Sequence, residues 1–219
     1  MSWFVELTMT LAWIFSYHRP MKIFVTGAAG FIGFHLCQVL LARGDEVIGF
    51  DNLNSYYDPT LKQARLKILE KERNFTFIRG DILDRPAVAV AMHGCERVVH
   101  LAALGSVPRS VANPLASHHA NATGTVMMLE AARRHGNLHT IVASSSSVYG
   151  SNPVLPKHED LATRPLSPYG GSKLATEGYT LAWGASYAMP VLAFRFFNVF
   201  GPMQPAGHVY AAVIPAFVD

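Results

Sequence analysis

Residues 167–173 read SPYGGSK, which sets Tyr169 and Lys173 four positions apart. On a helix, such a pair shares one face, so a phenol and an ammonium can point together into a cleft. Tyrosine loses its proton near pH ~10, and a general base working near neutrality needs that lowered by roughly three units, on the order of 4 kcal/mol. Positive charge nearby favours the phenolate, and a lysine is one source of it. The same letters would also suit the solvated first turn of a surface helix. Which reading holds depends on what the rest of the chain builds around the pair.

The chain has 219 residues, half of them hydrophobic, enough for one sizeable core and too few for two full domains of ordinary size. Its 18 Lys and Arg against 15 Asp and Glu give a net charge of +3, and these residues are scattered, which argues against a nucleic-acid surface. The ten histidines show no ligand spacing, and His118 and His119 are adjacent, pointing about 100° apart on a helix. No metal site is expected. Cys37 and Cys95, each among apolar neighbours, read as buried thiols in a reducing compartment, so a cytoplasmic location is expected. Residues 1–20 carry an apolar run too short to span a bilayer and make a poor signal peptide. They read as an extension ahead of the fold, which opens at Met21, and no membrane association is expected.

From Met21 onward, short apolar runs alternate with helical patterns. The expected strands are 22–27, 46–50, 75–80, 97–102, 139–145 and 190–196; the principal expected helices are 31–43, 59–72, 113–135 and 167–188. Near-continuous apolar strands separated by helices predict a doubly wound α/β fold with a parallel sheet, Rossmann-like. Directly after the first strand comes GAAGFIG, with glycines at 27, 30 and 33. Gly27 would permit the tight turn, Gly30 close approach of a pyrophosphate and Gly33 tight helix packing, with helix N–H groups facing the phosphates. Asp51 follows the second strand, where a carboxylate can accept hydrogen bonds from the ribose hydroxyls of adenosine and repel a 2′-phosphate. Its neighbour is Asn52, with no arginine beside it, so NAD is favoured over NADP.

The GxxGxxG spacing, HLAA (100–103), NATGTVMMLEAA (121–132), SSSSVYG (144–150), YGGSK (169–173) and RFFNVFGP (195–202) occur in fixed order. Together they resemble the extended short-chain dehydrogenase/reductase superfamily, in its branch of NAD-dependent nucleotide-sugar epimerases. The resemblance implies that Phe31, Ile32, Asp81, Ile82, Leu101, Ala102, Ala103 and Asn121 join the glycines, Asp51 and Asn52 around NAD. It implies that Lys173 also holds the nicotinamide ribose and that Ser145 hydrogen-bonds the reacting sugar oxygen beside Tyr169. Ser146, Ser147, Val107, Arg109 and Asn198 would meet the substrate, with Val107 and Arg109 on a loop after the fourth strand. A homodimer through helices 113–135 and 167–188 is also implied, exposing Val126, Met127, Leu181 and Trp183 to the partner.

Relatives that dehydrate or decarboxylate nucleotide sugars carry carboxylates where this chain has Ser146 and Ser147. That leaves a UDP-sugar 4-epimerase as the leading expectation, with NAD as resident hydride carrier. A decarboxylase, dehydratase or reductase of the same fold, or a non-catalytic NAD-binding regulator, are the alternatives. Residues 51–66 resemble UDP-glucuronate 4-epimerases, whereas 103–110 and 198–215 resemble enzymes acting on UDP-glucose or UDP-N-acetylglucosamine. Residues 21–197 are expected to form the NAD-binding domain and 198–219 to begin a truncated substrate-binding part. Relatives of this kind continue for roughly another hundred residues.

Overall fold

A strand that is apolar on both faces must be covered above and below, and here every strand pair is parallel. The computed structural model describes residues 19–204. The expectation for residues 1–20 therefore lies almost wholly outside the described residues, as does most of that for 198–219. Six strands, β1 (Lys22–Thr26), β2 (Glu46–Asp51), β3 (Phe75–Arg79), β4 (Arg97–His100), β5 (His139–Ser145) and β6 (Val191–Phe196), form one sheet in the order β3-β2-β1-β4-β5-β6. The order reverses between β1 and β4, and a doubly wound sheet opens its crevice at the carboxyl ends of those two strands.

Successive residues on β1 serve opposite cores. Phe24 packs with Phe50, Val98, Met128 and Leu129 on one face. Val25 packs with Val47, Phe34, Cys37 and Leu69 on the other. Helices α1 (Phe31–Ala42) and α2 (Pro59–Leu69) precede α3 (Arg85–Ala91), a helix too short for its periodicity to show in the sequence. Its signal is the cap: Asp84 accepts from Ala87 N at 3.1 Å, and a proline stands in the first turn.

The segment after β4 is a correction. Val107 and Arg109 lie not on an open loop but in helix α4 (Val107–Ala112), started by the Ser106 hydroxyl, which accepts from Arg109 N at 3.4 Å. The expected helix 113–135 is one helical run from Pro114 to Arg134, made of α5 (Pro114–His118), a wide π turn (His119–Thr123) and α6 (Gly124–Arg134). The turn carries Asn121, whose side chain reaches across to Leu104 and Ser172. The last helix, α7 (Pro168–Tyr187), matches its expected span to within a residue at each end.

Strand β6 is held to α7 by charge as well as by its ladder with β5. Arg195 Nε donates to both Glu177 carboxylate oxygens, at 3.1 and 3.0 Å, and the Ser144 hydroxyl donates to Oε2 at 2.9 Å. Burial raises the Glu177 pKa, but the Arg195 and Ser144 hydrogen bonds outweigh it and hold the carboxyl below its ordinary value. Glu177→Ala leaves the guanidinium without its counter-ion and should cost about 3 kcal/mol in urea denaturation at pH 7. A depressed folded pKa gives stability that is present above the unfolded value and lost as pH falls through the folded one. The gap between wild type and variant should therefore narrow below about pH 4.

Candidate active site

Helix α7 starts where the Ser167 hydroxyl accepts from Gly170 N at 3.0 Å, with Pro168 in the first turn. A Cβ on Gly170 would stand 2.8 Å from the carbonyl oxygen of Ser147. The missing side chain lets α7 lie against the 3-10 turn Ser146–Val148 that follows β5. Tyr169 is thereby brought beside Ser145, at the end of β5. The Tyr169 backbone N–H also donates to the buried Ser110 hydroxyl at 3.0 Å, which fastens α4 to the first turn of α7.

Lys173, one turn along, is 5% exposed and donates through Nζ to the Ala143 carbonyl at 2.8 Å. Burial pulls its pKa down to about 8. Burial has the opposite effect on Tyr169, raising the phenol pKa; the Ser145 hydroxyl opposes the rise, and Tyr56 adds to it. Lys173 is not among the groups that shift the phenol here, because its ammonium is turned to the backbone of β5. Close by, His100 is buried and kept neutral, its pKa pushed down to about 3 by burial and then by Lys173. Its Nδ1 lies 2.7 Å from the Thr26 hydroxyl and its Nε2 lies 3.3 Å from that of Thr125.

Two cavities, of about 370 and 520 Å³, adjoin at the carboxyl ends of the strands and share Gly27, Gly30, Leu101 and Ala103. Asp51, Asn52, Asp81, Ile82 and Ala102 line the first. Phe31, Ile32 and Gly33 line the second with Val107, Arg109 and Ala143, so the carbonyl that holds Lys173 belongs to a wall residue. Gly27 has φ +71°, and a Cβ on Gly33 would come within 2.1 Å of the Gly27 oxygen. Asn52 Nδ2 donates to Asp81 Oδ2 at 2.9 Å, joining the ends of β2 and β3 at the cavity rim.

The model of the NAD dependent epimerase/dehydratase family matches residues 23–219. The chain belongs to that family. A probable UDP-glucuronate 4-epimerase of Rhizobium meliloti (strain 1021) is 39% identical over 185 residues, 83% of this chain and 54% of the relative. A UDP-N-acetylglucosamine 4-epimerase of Methanobrevibacter ruminantium M1, solved with UDP-N-acetylmuramic acid, superposes with a TM-score of 0.83 at 36% identity, over 92% of this chain and 62% of that one. A UDP-glucuronic acid 4-epimerase of Bacillus cereus, solved with UDP-glucuronic acid and NAD, gives 0.80 at 38%, over 86% and 60%. The chain spans about half the length of the curated relatives it matches.

For a member of the epimerase/dehydratase family, the cofactor test is whether these residues fit NAD. They do: the glycine turn has no room for a side chain, the N-terminus of α1 faces the cavity, and Asp51 lines it. Asn121 and Asn198 do not line the cavities, and neither do Ser145, Ser146, Ser147, Tyr169 and Lys173. The Asn121 amide accepts from Leu104 N at 2.8 Å and donates to Leu104 O and the Ser172 hydroxyl, while Asn198 is exposed beyond β6.

Sequence reading passed over four residues on one stretch. Tyr56 and Tyr57 line both cavities, and α2 buries Lys62, Arg65, Leu66 and Leu69 along a single stripe. That 0-3-4-7 spacing is the mark of an inward face, and its first two places hold cations. Arg65 donates to Ala29 O at 3.0 Å, to the Tyr57 hydroxyl at 2.8 Å and to Met203 O at 2.8 Å, bracing the glycine turn. Lys62 Nζ stands 3.5 Å from Asp51 Oδ1, so Asp51 is not without a cation beside it.

A lysine whose folded pKa is about 8 and whose unfolded value is 10.5 is protonated in both states below pH 8, where burial of the charge opposes folding. Between those values the unfolded chain holds the extra proton, so this contribution to stability rises with pH. Lys173→Met should be the more stable protein at pH 7, and its lead in Tm should shrink from pH 8 to 10.5.

Proposed function

We propose that the protein catalyses NAD-dependent 4-epimerisation of a UDP-hexose, of the UDP-glucose/UDP-N-acetylglucosamine or UDP-glucuronate type. The observation that carries this reading is that Tyr169 stands beside Ser145 while Lys173, one turn on, bonds the carbonyl of Ala143 in a cavity wall, with serines rather than carboxylates at 146 and 147. When bound, NAD would supply a reversible hydride acceptor and a positively charged ring. Tyr169 takes the proton of the C4 hydroxyl, and Ser145 holds the same oxygen by hydrogen bonding. Lys173 would hold the nicotinamide ribose, and with the positive nicotinamide ring in place the two cations together would favour phenolate. Tyr169 would return the proton to the C4 oxygen as the epimer forms, with Ser145 holding that oxygen throughout. An eliminating or decarboxylating enzyme would need an additional acid or base at the sugar, and Ser146 and Ser147 offer neither.

Val107 and Arg109 in α4 are the residues most suited to meet the sugar, since both line the second cavity. The relatives named above act on an N-acetylated sugar in one case and a uronic acid in another, which supports a UDP-hexose class and leaves its substituent to a substrate panel. A homodimer through α6 and α7 is part of the same proposal. Leu181 is 55% exposed, and Val126 and Met127 are half-buried; Trp183, by contrast, packs partly onto the core. A cytoplasmic location, supplying activated sugars for polysaccharide synthesis, fits two buried free cysteines whose thiols burial pushes up to about 12 and about 11. No helix among the described residues is long and apolar enough to cross a membrane.

Tyr169→Phe removes only the titrating oxygen, so turnover should fall by about a thousandfold or more while calorimetry still shows NAD binding. Epimerisation by that variant at near wild-type speed would refute the assignment. With C4-deuterated substrate in ordinary water, mass spectrometry should find the label retained in the epimer, because the same hydride is returned; washout would point to carbon deprotonation instead.

A further inference from the structure

Lys62 is a buried cation in the wall of the first cavity, with a side chain 6% exposed. Its ammonium donates to Asn54 Oδ1 at 3.0 Å and lies 3.5 Å from Asp51 Oδ1 and 5.1 Å from the centre of the Tyr57 ring. An ammonium has three donors, and two of them are accounted for by Asn54 and Asp51. The Leu53 N–H also donates to Asp51 Oδ1, at 2.8 Å, so both protein contacts fall on one carboxylate oxygen. The carboxylates lining this cavity are Asp51 and Asp81, with Lys62 between α2 and the end of β2 and Arg65 one turn behind it. The charge around the adenosine end is thus close to balanced rather than negative.

A site that rejects a 2′-phosphate on electrostatic grounds needs net negative charge where the phosphate would lie. Asp51 alone would supply it, but Asp51 with Lys62 against it does not. We propose that cofactor choice in this protein is set by the Asp51–Lys62 pair, with Lys62 a counter-ion at hand for the 2′-phosphate of NADP, so that discrimination against NADP is weak and depends on Lys62. The inference rests on the NAD reading of the cavity and adds a residue that governs its selectivity.

The test is calorimetric titration of the 219-residue chain with NAD and with NADP, in wild type, Lys62→Met, Asp51→Asn and the double variant. Wild type should bind both, NAD the more tightly. Lys62→Met should weaken NADP by about tenfold, the worth of one charge-assisted hydrogen bond, and leave NAD within about threefold. Asp51→Asn should tighten NADP by about tenfold, and the gain should vanish in the double variant. Should Lys62→Met fail to fold, judged by its urea transition, Lys62→Gln keeps the hydrogen bond without the charge and should show the same loss for NADP. An NADP affinity that does not change with Lys62 in either background overturns the proposal while leaving the NAD reading intact. If wild type binds neither nucleotide, the NAD reading falls and the proposal with it.

Discussion

The backbone of the 27–33 turn is packed so closely that a side chain is excluded at positions 27, 30 and 33. A Cβ on Gly27 would stand 2.8 Å from the Ala102 amide nitrogen, and one on Gly33 closer still to the Gly27 oxygen. This contact sets the distance between the end of β1, the start of α1 and the strand-to-loop passage after β4. Those are the elements that diverge at the switch point of the sheet, so the crevice takes its shape from a steric limit. The N–H groups at the start of α1 are left facing the cavity because no side chain stands in front of them.

A second set of constraints is polar. Thr176, one turn beyond Ser172 on α7, donates to Asn121 O at 2.9 Å, and Thr125 donates to the same carbonyl at 2.6 Å. With His100 and Thr26, these residues run a chain of hydrogen bonds from the sheet to α7. Apolar packing tolerates sliding, whereas a buried hydroxyl out of register loses its partner and costs about 1–3 kcal/mol. The network therefore fixes the rotation of α7 about its axis, and with it the direction in which Tyr169 and Lys173 point.

What was legible in the sequence follows from this division. The six strands could be read because buried parallel strands are continuous apolar runs. The Tyr169–Lys173 pair could be read because a four-residue spacing has one meaning on a helix. Helices α3 and α4 were missed because seven and six residues are too few for a helical period to emerge, and only their caps announced them. Lys62 and Arg65 were missed for a different reason. Charged residues on a helix are ordinarily taken as solvated, yet these two occupy the stripe shared with Leu66 and Leu69. The charge balance around Asp51 depends on a contact across eleven residues, which spacing alone does not disclose. In the same way, a shared face does not say that the Lys173 ammonium turns to Ala143.

The bond from Arg65 to Met203 O has a counterpart at the start of α1, where His35 Nε2 meets Pro202 O at 2.9 Å. The stretch that leaves β6 is thus tied at two points, to the arginine that braces the glycine turn and to α1. Thermodynamic linkage makes such a tie work in both directions. A dinucleotide that ordered the glycine turn would, through these bonds, also order residues 201–204. Any load on those residues is felt in return as a change in affinity at the turn. Cofactor binding and the chain's path out of the sheet are therefore two readings of one local equilibrium.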